Sequence, residues 1–330
     1  MIEQSTKGNV VLLDYGRYPL VCKCYSELFK LKTKVSGQAR LTLEDKLQHR
    51  LLRQRCESYM DYLRSFPYRC NRLQIGAIFS GSKRIEAFIV IEFYEASDDF
   101  ATKRSAHISD IVFLSDANRT QQRRKLIAWA KKESKEWGAV TLTVSSGSQF
   151  WMDKGKGEVV QTKLYKLNTQ QPAKRVVLPN NIILTKAKKS DLPVVARFIK
   201  RLFVETSALR PEFDFSKLKE EVLVQYLSDS SGRALKEHVL LLKRGDRPIG
   251  FIQCQEQWRD METFSRSSAI LCNMYLAQAE RNKGLGSLLV KRVEQRCLDS
   301  YTQVLRATTV YPQFFEGLGY RVWEEVRRVF

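Results

Sequence analysis

The residues best suited to chemistry lie where a predicted strand passes into a predicted helix, in the segment 274–287. The first N–H groups of a helix have no partner within the helix and carry the positive end of its dipole, so they can hold phosphate oxygens. Gly284 and Gly286 allow a ligand to approach the backbone closely, and Arg281 and Lys283 add positive charge. This pattern predicts a phosphate-binding loop.

Two common phosphate-binding motifs are excluded in this segment. The glycines are not followed by the Gly-Lys-Ser/Thr sequence of a P-loop, and the GxGxxG fingerprint of dinucleotide-binding domains is absent. A purely structural turn remains the alternative interpretation of two glycines beside a helix.

Two motifs in the second half resemble those of a known family. Arg281-Asn-Lys-Gly-Leu-Gly286 is similar to the Arg/Gln-x-x-Gly-x-Gly/Ala pattern of the GNAT superfamily of N-acetyltransferases, which binds the pyrophosphate of acetyl-CoA at such a strand-to-helix junction. Further along, Phe314-Phe-Glu-Gly-Leu-Gly-Tyr320 resembles the family's Phe-Tyr-Glu-Lys-Leu-Gly-Phe segment. The resemblance covers residues 182–330, and the first half follows the same plan of elements.

The resemblance implies a cosubstrate, acetyl-CoA, and a place for it. The backbone of Met274 and Leu276 would pair with the pantetheine arm, and the loop amides would hold the pyrophosphate. The acetyl carbonyl would lie near a bulge of the strand, polarised by a backbone N–H at about Leu276. The implied cofactor-binding residues are Met274, Tyr275, Leu276, Arg281, Asn282, Lys283, Gly284, Leu285, Gly286 and Ser287.

The implied reaction is direct attack of an amine on the thioester, which needs a base for the ammonium proton and an acid for the departing thiolate. The tyrosine that often serves as the acid in the family aligns with Phe315, which has no proton to give. Tyr311 is the candidate substitute, with packing at a helix start as the alternative, and Tyr320 is also close in sequence. Glu256 and Glu262 are the candidate bases. Deprotonation through water needs neither carboxylate.

The elements that would position these residues recur in both halves of the chain. A helix, hairpin, strand, loop, helix, strand and aromatic-led turn repeat at roughly 160-residue spacing. We therefore expect an α/β (α+β) protein with two tandem GNAT-like domains, each a mixed, mostly antiparallel central sheet flanked by helices. The expected bounds are 1–167 for a degenerate GNAT-like domain, 168–181 for a linker and 182–330 for an acetyl-CoA-binding GNAT domain.

The corresponding loop of the first half lacks the glycines. Aligning helix with helix places Gln122 and Arg124 at the positions of Gly284 and Gly286, where a Cβ would crowd the pyrophosphate. This alignment predicts that the first domain binds acetyl-CoA poorly, although the residues alone do not decide it. The basic cluster in 119–125 either contacts an anion or RNA or faces solvent.

Composition excludes several classes of protein. The 330 residues are 43% hydrophobic, which is enough to bury a core, and no apolar run approaches the roughly 18 residues of a membrane span. The start of the chain lacks a signal-peptide pattern, so we expect a cytoplasmic protein, with secretion of an effector by a non-classical route left open. The seven cysteines form no CxxC pair and the three histidines are far apart in sequence, which argues against a metal site or a disulfide framework.

The net charge of +20 calls for an anionic partner. The leading hypothesis is an acetyl-CoA-dependent N-acyltransferase that transfers an acetyl group to a primary amine of a protein or small molecule. Its acceptor would approach along residues 207–214 and 257–266, where Asp260 and Glu262 could receive a cation. The alternatives are a catalytically inactive module that binds RNA or an acidic protein, and an acetyltransferase acting on an RNA-linked amine.

Overall fold

A computed structural model of the protein describes most of the chain. The described residues are 9–13, 19–20, 23–24, 26–27, 71–80, 84–97, 102–114, 118–145, 158–167, 177–209, 213–229, 236–260, 265–299, 302 and 304–330. The chain divides into two compact units. The first unit comprises residues 1–97, 102–160 and 324–330, and the second comprises residues 98–101 and 161–323.

Strands outnumber helices in the described residues. In chain order the strands are β1 (Val10–Leu12), β2 (Asn71–Ser80), β3 (Arg84–Tyr94), β4 (Ser105–Phe113), β5 (Thr141–Ser145), β6 (Val159–Leu167), β7 (Ile182–Lys186), β8 (Lys236–Arg244), β9 (Arg247–Asp260), β10 (Ser265–Leu276), β11 (Val304–Thr309) and β12 (Arg321–Arg328). The α-helices are α1 (Arg119–Glu136), α2 (Leu192–Thr206), α3 (Glu220–Asp229), α4 (Leu285–Asp299) and α5 (Pro312–Glu316).

The sheet of the first unit has the strand order β1-β2-β3-β4-β5-β12. Its pairs are antiparallel except β4 with β5, which are parallel because α1 carries the chain across between them. Strand β3 is buried on both faces, with Phe88 and Ile89 each fully inaccessible. Helix α1 packs so closely that a Cβ on Gly76 of β2 would lie 2.5 Å from the Trp129 ring. The unit therefore has a core on each side of its sheet.

The sheet of the second unit has the strand order β7-β8-β9-β10-β11-β6, and here β10 and β11 form the parallel pair, joined by α4. Helices α2 and α3 cover one face, where Phe198 stacks on Phe251 and Tyr275 at 6.2 and 5.4 Å between ring centroids. Helices α4 and α5 cover the other face through Leu289 and Phe315. The second unit thus repeats the layering of the first.

Each unit contains one strand from the opposite half of the sequence. Strand β6 pairs antiparallel with β11, and β12 pairs antiparallel with β5. Lys166 of β6 is anchored in the second unit, where its Nζ donates to Glu294 Oε1 and to the Leu318 carbonyl, both at 2.9 Å. The expected bounds of 1–167 and 182–330 assign these two strands differently, because they follow the order of the sequence.

The predicted fold class is confirmed: mixed α/β, with mostly antiparallel sheets flanked by helices. Within the ranges given above, no helix is both long enough and apolar enough to cross a membrane.

Candidate active site

Strands β10 and β11, at the centre of the second unit, are paired over only part of their length. Parallel pairing of the two strands ends at Leu271 opposite Ala307. Beyond that point β11 pairs with β6 through Thr309, while β10 continues to Leu276. We call this gap the β10–β11 cleft. The backbone of β10 along the cleft is available to a ligand that pairs as an extra strand would.

A β-bulge marks the inner end of the cleft. The pairing of β10 with β9 shifts register between Leu271 and Asn273, so Cys272 is the extra residue. Because side chains alternate along a strand, the extra residue shifts the alternation of β10 by one position beyond it. Leu271 and Met274 both pack with the α4 core, and Tyr275 packs with the α2 core. The bulge at Cys272 is thus separate from Leu276, the position predicted for the polarising N–H.

The outer part of β10 turns its backbone groups alternately to β9 and to the cleft. Ala277 N–H donates to the Ile249 carbonyl of β9 at 2.8 Å. The backbone N–H and carbonyl of Tyr275, two residues earlier, therefore also point toward β9. Met274 and Leu276 therefore face the cleft. The Leu276 carbonyl already accepts a hydrogen bond from Arg281 Nε at 3.0 Å.

Residues 277–284, which we call the 277–284 loop, lead from β10 to the start of α4. Asn282 and Gly284 have φ values of 60° and 76°, in the left-handed region. Leu288 N–H donates to the Gly284 carbonyl at 3.1 Å and begins the intrahelical bonds. The N–H groups of the three preceding residues therefore have no acceptor within the helix. A Cβ on Gly284 would meet no atom within 4 Å, so the turn borders open space. These features suit an anion.

The two resemblance motifs contact each other at this helix start. A Cβ on Gly286 would lie 3.3 Å from the Phe314 ring, closer than ordinary van der Waals contact. Phe314 packs edge-on against Phe315, with ring centroids 5.0 Å apart. The glycine at position 286 therefore allows α5 to pack against the first turn of α4.

Carboxylates of the protein pair with the cations of the loop. Arg281 Nη2 donates to Glu205 Oε2 at 2.7 Å. Burial opposes the charge of Arg281, but Glu205 and Tyr275 together outweigh burial and hold the pKa of the guanidinium above its ordinary value. Lys283 Nζ lies 3.3 Å from Glu280, whose pKa is lowered by the hydrogen bond from Arg244. The loop is therefore less basic than its sequence suggests.

Tyr311 lies on the link between β11 and α5, and it is 59% exposed. Its N–H donates to Thr309 Oγ1 at 2.9 Å, which holds Tyr311 next to the last residue of β11. Tyr320, the other nearby tyrosine, is only 3% exposed. Burial, together with the adjacent Glu294, raises its pKa well above the ordinary value. Of the two tyrosines, Tyr311 has the accessible hydroxyl.

The candidate base Glu256 lies on β9 opposite Ala269 of β10, three residues before the bulge residue Cys272. Its carboxylate is 2.9 Å from His238 Nε2, and both side chains are 5% exposed. Glu256 lines a cavity of about 450 Å³ together with Arg292, Arg296 and Asp299 of α4. Glu262 lies outside the described residues.

Two residues of the site escaped prediction from the sequence. Glu205 ends α2 and reaches the 277–284 loop from far away in the sequence, so no local pattern could have identified it. Cys272 forms the bulge, which a lone cysteine in an apolar strand does not reveal. Among the described side chains, no group of three His, Cys, Asp or Glu residues is placed to hold a metal ion.

The alignment of the first-half loop was wrong. Helix α1 begins at Arg119, and its first intrahelical bond runs from Gln122 N–H to the Asn118 carbonyl at 2.9 Å. Asn118, with φ 57°, therefore occupies the position of Gly284. Gln122 and Arg124 therefore lie within the helix. The alignment looked for glycine at the turn, but asparagine also adopts the left-handed conformation.

Comparisons with known proteins agree with this arrangement. Residues 203–320 match the model of the acetyltransferase (GNAT) family. A tandem GNAT protein of clavulanic acid biosynthesis, solved without acetyl-CoA, is similar over 83% of this chain and 86% of its own, with 13% identity and a TM-score of 0.52. A GCN5-related N-acetyltransferase from Sphaerobacter thermophilus is similar over 83% and 84%, with 12% identity and a TM-score of 0.54. The search of curated proteins found no match. At these identities the two structures show the fold alone.

Proposed function

Residues 203–320 carry a domain of the GNAT acetyltransferase family, and from this premise we propose that the second unit is an acetyl-CoA-dependent N-acetyltransferase. It transfers the acetyl group from the sulfur of CoA to a primary amine of a protein or small molecule. The observation that carries the proposal is the β10–β11 cleft with the 277–284 loop and the open start of α4 beyond it.

The residues present fit acetyl-CoA at each of its polar parts. The backbone of Met274 and the N–H of Leu276 face the cleft, where the amide groups of a pantetheine arm would pair with them. The N–H groups of residues 285–287 would hold pyrophosphate oxygens. The space next to Gly284, where a Cβ would meet no protein atom, leaves room for them. Lys283 is the loop cation most available to a phosphate, since its side chain is 53% exposed.

The chemistry needs a proton donor close to the thioester. The amine forms a C–N bond as the C–S bond breaks, and the departing thiolate takes a proton. Tyr311 is the proposed donor because it is 59% exposed and lies just beyond the end of β11, one of the two strands that border the cleft. The ammonium proton of the acceptor passes to water, since the Glu256 carboxylate is buried and already contacts His238. The acceptor approaches from the side of residues 207–209, which come directly after α2.

Calorimetric titration of the full chain with acetyl-CoA tests the proposal. We expect micromolar binding by the natural protein and at least about tenfold weaker binding by Gly284→Ala, because the new Cβ enters the space proposed for the pyrophosphate. The matched control is Gly138→Ala in the first unit. Gly138 has a φ of 80°, so both substitutions place an L-residue in the left-handed region at similar cost.

Failure of the natural protein to bind acetyl-CoA would overturn the proposal. Equal losses for Gly284→Ala and Gly138→Ala would indicate general strain and would remove the 277–284 loop from it. The acceptor class is then identified by incubating the protein with isotopically labelled acetyl-CoA and pools of amines, peptides or RNA, with mass spectrometry of the acetylated products.

A further inference from the structure

We propose that Glu205, Tyr275 and Arg281 form a cluster that fixes the 277–284 loop to the end of α2. Arg281 is then a positioning residue for the loop and contacts no phosphate. The inference rests on the proposed function for its meaning, since the loop is where acetyl-CoA would bind. It assigns the arginine of the motif a different role from the one that the sequence resemblance implies.

Three hydrogen bonds connect the side chains of the cluster. Tyr275 Oη donates to Glu205 Oε1 at 3.1 Å, and Arg281 Nη2 donates to both oxygens of Glu205 at 3.1 and 2.7 Å. The guanidinium carbon of Arg281 lies 5.2 Å from the centre of the Tyr275 ring, within the range of a cation–π interaction. The cluster joins the last turn of α2, the outer part of β10 and the loop.

Arg281 also forms a hydrogen bond with the last residue of β10. Its Nε donates to the Leu276 carbonyl at 3.0 Å, which is a backbone group turned toward the cleft. Two of the three guanidinium nitrogens are thus used by the protein, Nε by Leu276 and Nη2 by Glu205. A phosphate that bound Nε and Nη2 together would have to replace hydrogen bonds that are already formed.

The effect of removing Glu205 distinguishes the two possible roles of Arg281. If Arg281 were a phosphate ligand, Glu205 would compete with the phosphate for it, and removing Glu205 would leave binding unchanged or strengthen it. If the cluster positions the loop, removing Glu205 weakens binding, and removing Arg281 weakens it at least as much because its bond to Leu276 is lost as well. Once Arg281 is absent, removing Glu205 in addition has little further effect.

Titration of the full chain with acetyl-CoA tests this difference, with Glu205→Ala, Arg281→Ala and the double variant. We expect Glu205→Ala to bind about fivefold more weakly than the natural protein, the scale of one partly exposed ion pair, and Arg281→Ala to bind at least as weakly. The double variant should match Arg281→Ala within about twofold. The matched control is Glu221→Ala, an exposed glutamate on α3. Unchanged or tighter binding by Glu205→Ala would overturn the proposal.

Amide hydrogen exchange of the unliganded protein gives an independent test. We expect peptides that cover residues 277–288 to exchange at least about threefold faster in Glu205→Ala and Arg281→Ala than in the natural protein and in Glu221→Ala. Exchange that is unchanged in both variants would also overturn the proposal. This measurement needs no acetyl-CoA, so it separates a failure of the cluster from a failure of the proposed function.

Discussion

The two units share the same interruption of their sheets and differ in the segment that leads from it to the next helix. In the first unit, β4 and β5 stop pairing at Ile108, Ser109 is the bulge residue, and β4 runs on to Phe113. In the second, β10 does the same beyond Leu271, with its bulge at Cys272. The connection to the helix spans residues 114–118 in the first unit and the longer stretch 277–284 in the second.

Strands β4 and β10 also differ in how deeply their outer residues are buried. Ile111 and Phe113 are 2% and 6% exposed, whereas Met274 and Leu276 at the equivalent positions of β10 are only half-buried. The first helix of the first unit also contributes to packing, because Gln122 Nε2 donates to Glu86 at 3.0 Å. A splayed, bulged strand is therefore shared by both units. Space beside the strand and a long loop are the features that would let it accept a ligand.

The charges of the loop change the interpretation of the net charge. Arg281 and Lys283 are paired with Glu205 and Glu280, so the site adds little positive charge of its own. The excess of +20 is spread over both halves of the chain, and the phosphates of acetyl-CoA account for only a small part of it.

The largest expected effect comes from breaking the exchange of strands. A fragment that begins at Ile182 lacks β6, so it exposes the edge of β11 and removes Leu164, which is fully buried in the second unit. We expect this fragment to be insoluble or unfolded, whereas one that begins at Glu158 and keeps β6 stays soluble. Expression with circular dichroism checks both. A folded fragment 182–330 that binds acetyl-CoA normally would contradict the role assigned to β6.

The second prediction compares the two helix starts directly. Gly286 is the second residue of α4, and exposed Thr120 is the second residue of α1. Gly286→Arg should weaken acetyl-CoA binding at least about a hundredfold, because a long side chain must enter the space between Phe314 and the loop. Thr120→Arg should leave affinity unchanged, with one acetyl-CoA bound per chain. Calorimetry gives both quantities, and two molecules per chain would show that the first unit retains a site.

The third prediction concerns Tyr311. Tyr311→Phe should lower kcat about a hundredfold with little change in KM, the scale of losing a general acid, because the substitution keeps the ring and removes the proton. The control is Tyr226→Phe on α3, which should retain full activity. Steady-state kinetics with the identified acceptor decides the matter. A kcat within about twofold of the natural value would assign Tyr311 to packing at the start of α5.

Local patterns predicted the elements of the site, and contacts distant in sequence escaped them. The glycines at 284 and 286 revealed the turn into α4 because backbone conformation and close packing restrict those positions to small residues. The matching turn at Asn118 was missed because asparagine meets the same requirement less visibly. The sequence did not reveal that β6 joins the sheet of the second unit and β12 that of the first, because the alternation of side chains along each strand would suit either sheet. Only the contacts of whole sheets decide between them.

The smallest expected effect is a difference between the two units in how pH changes the free energy of unfolding. Tyr275 has Val112 as its equivalent in the first unit, so only the second unit has an ionisable group there. Burial, and then the Glu205 carboxylate, raise the pKa of Tyr275 above its ordinary value of 10.0. A raised pKa in the folded state means that the neutral hydroxyl stabilises the fold. This stabilisation is complete below pH 10 and is lost as the pH rises through the folded-state pKa.

The free energy of unfolding should therefore fall above about pH 10, and Tyr275→Phe should make that fall shallower. Part of the fall should remain in the variant, because buried Tyr320 also has a raised pKa. Urea titrations at a series of pH values from about 8 to 11 measure the slope. Val112→Ala serves as the control, since it loosens the equivalent strand without removing an ionisable group. An equal slope in the natural protein and Tyr275→Phe would mean that the Tyr275 hydroxyl contributes nothing to stability, and the cluster would then rest on Glu205 and Arg281 alone.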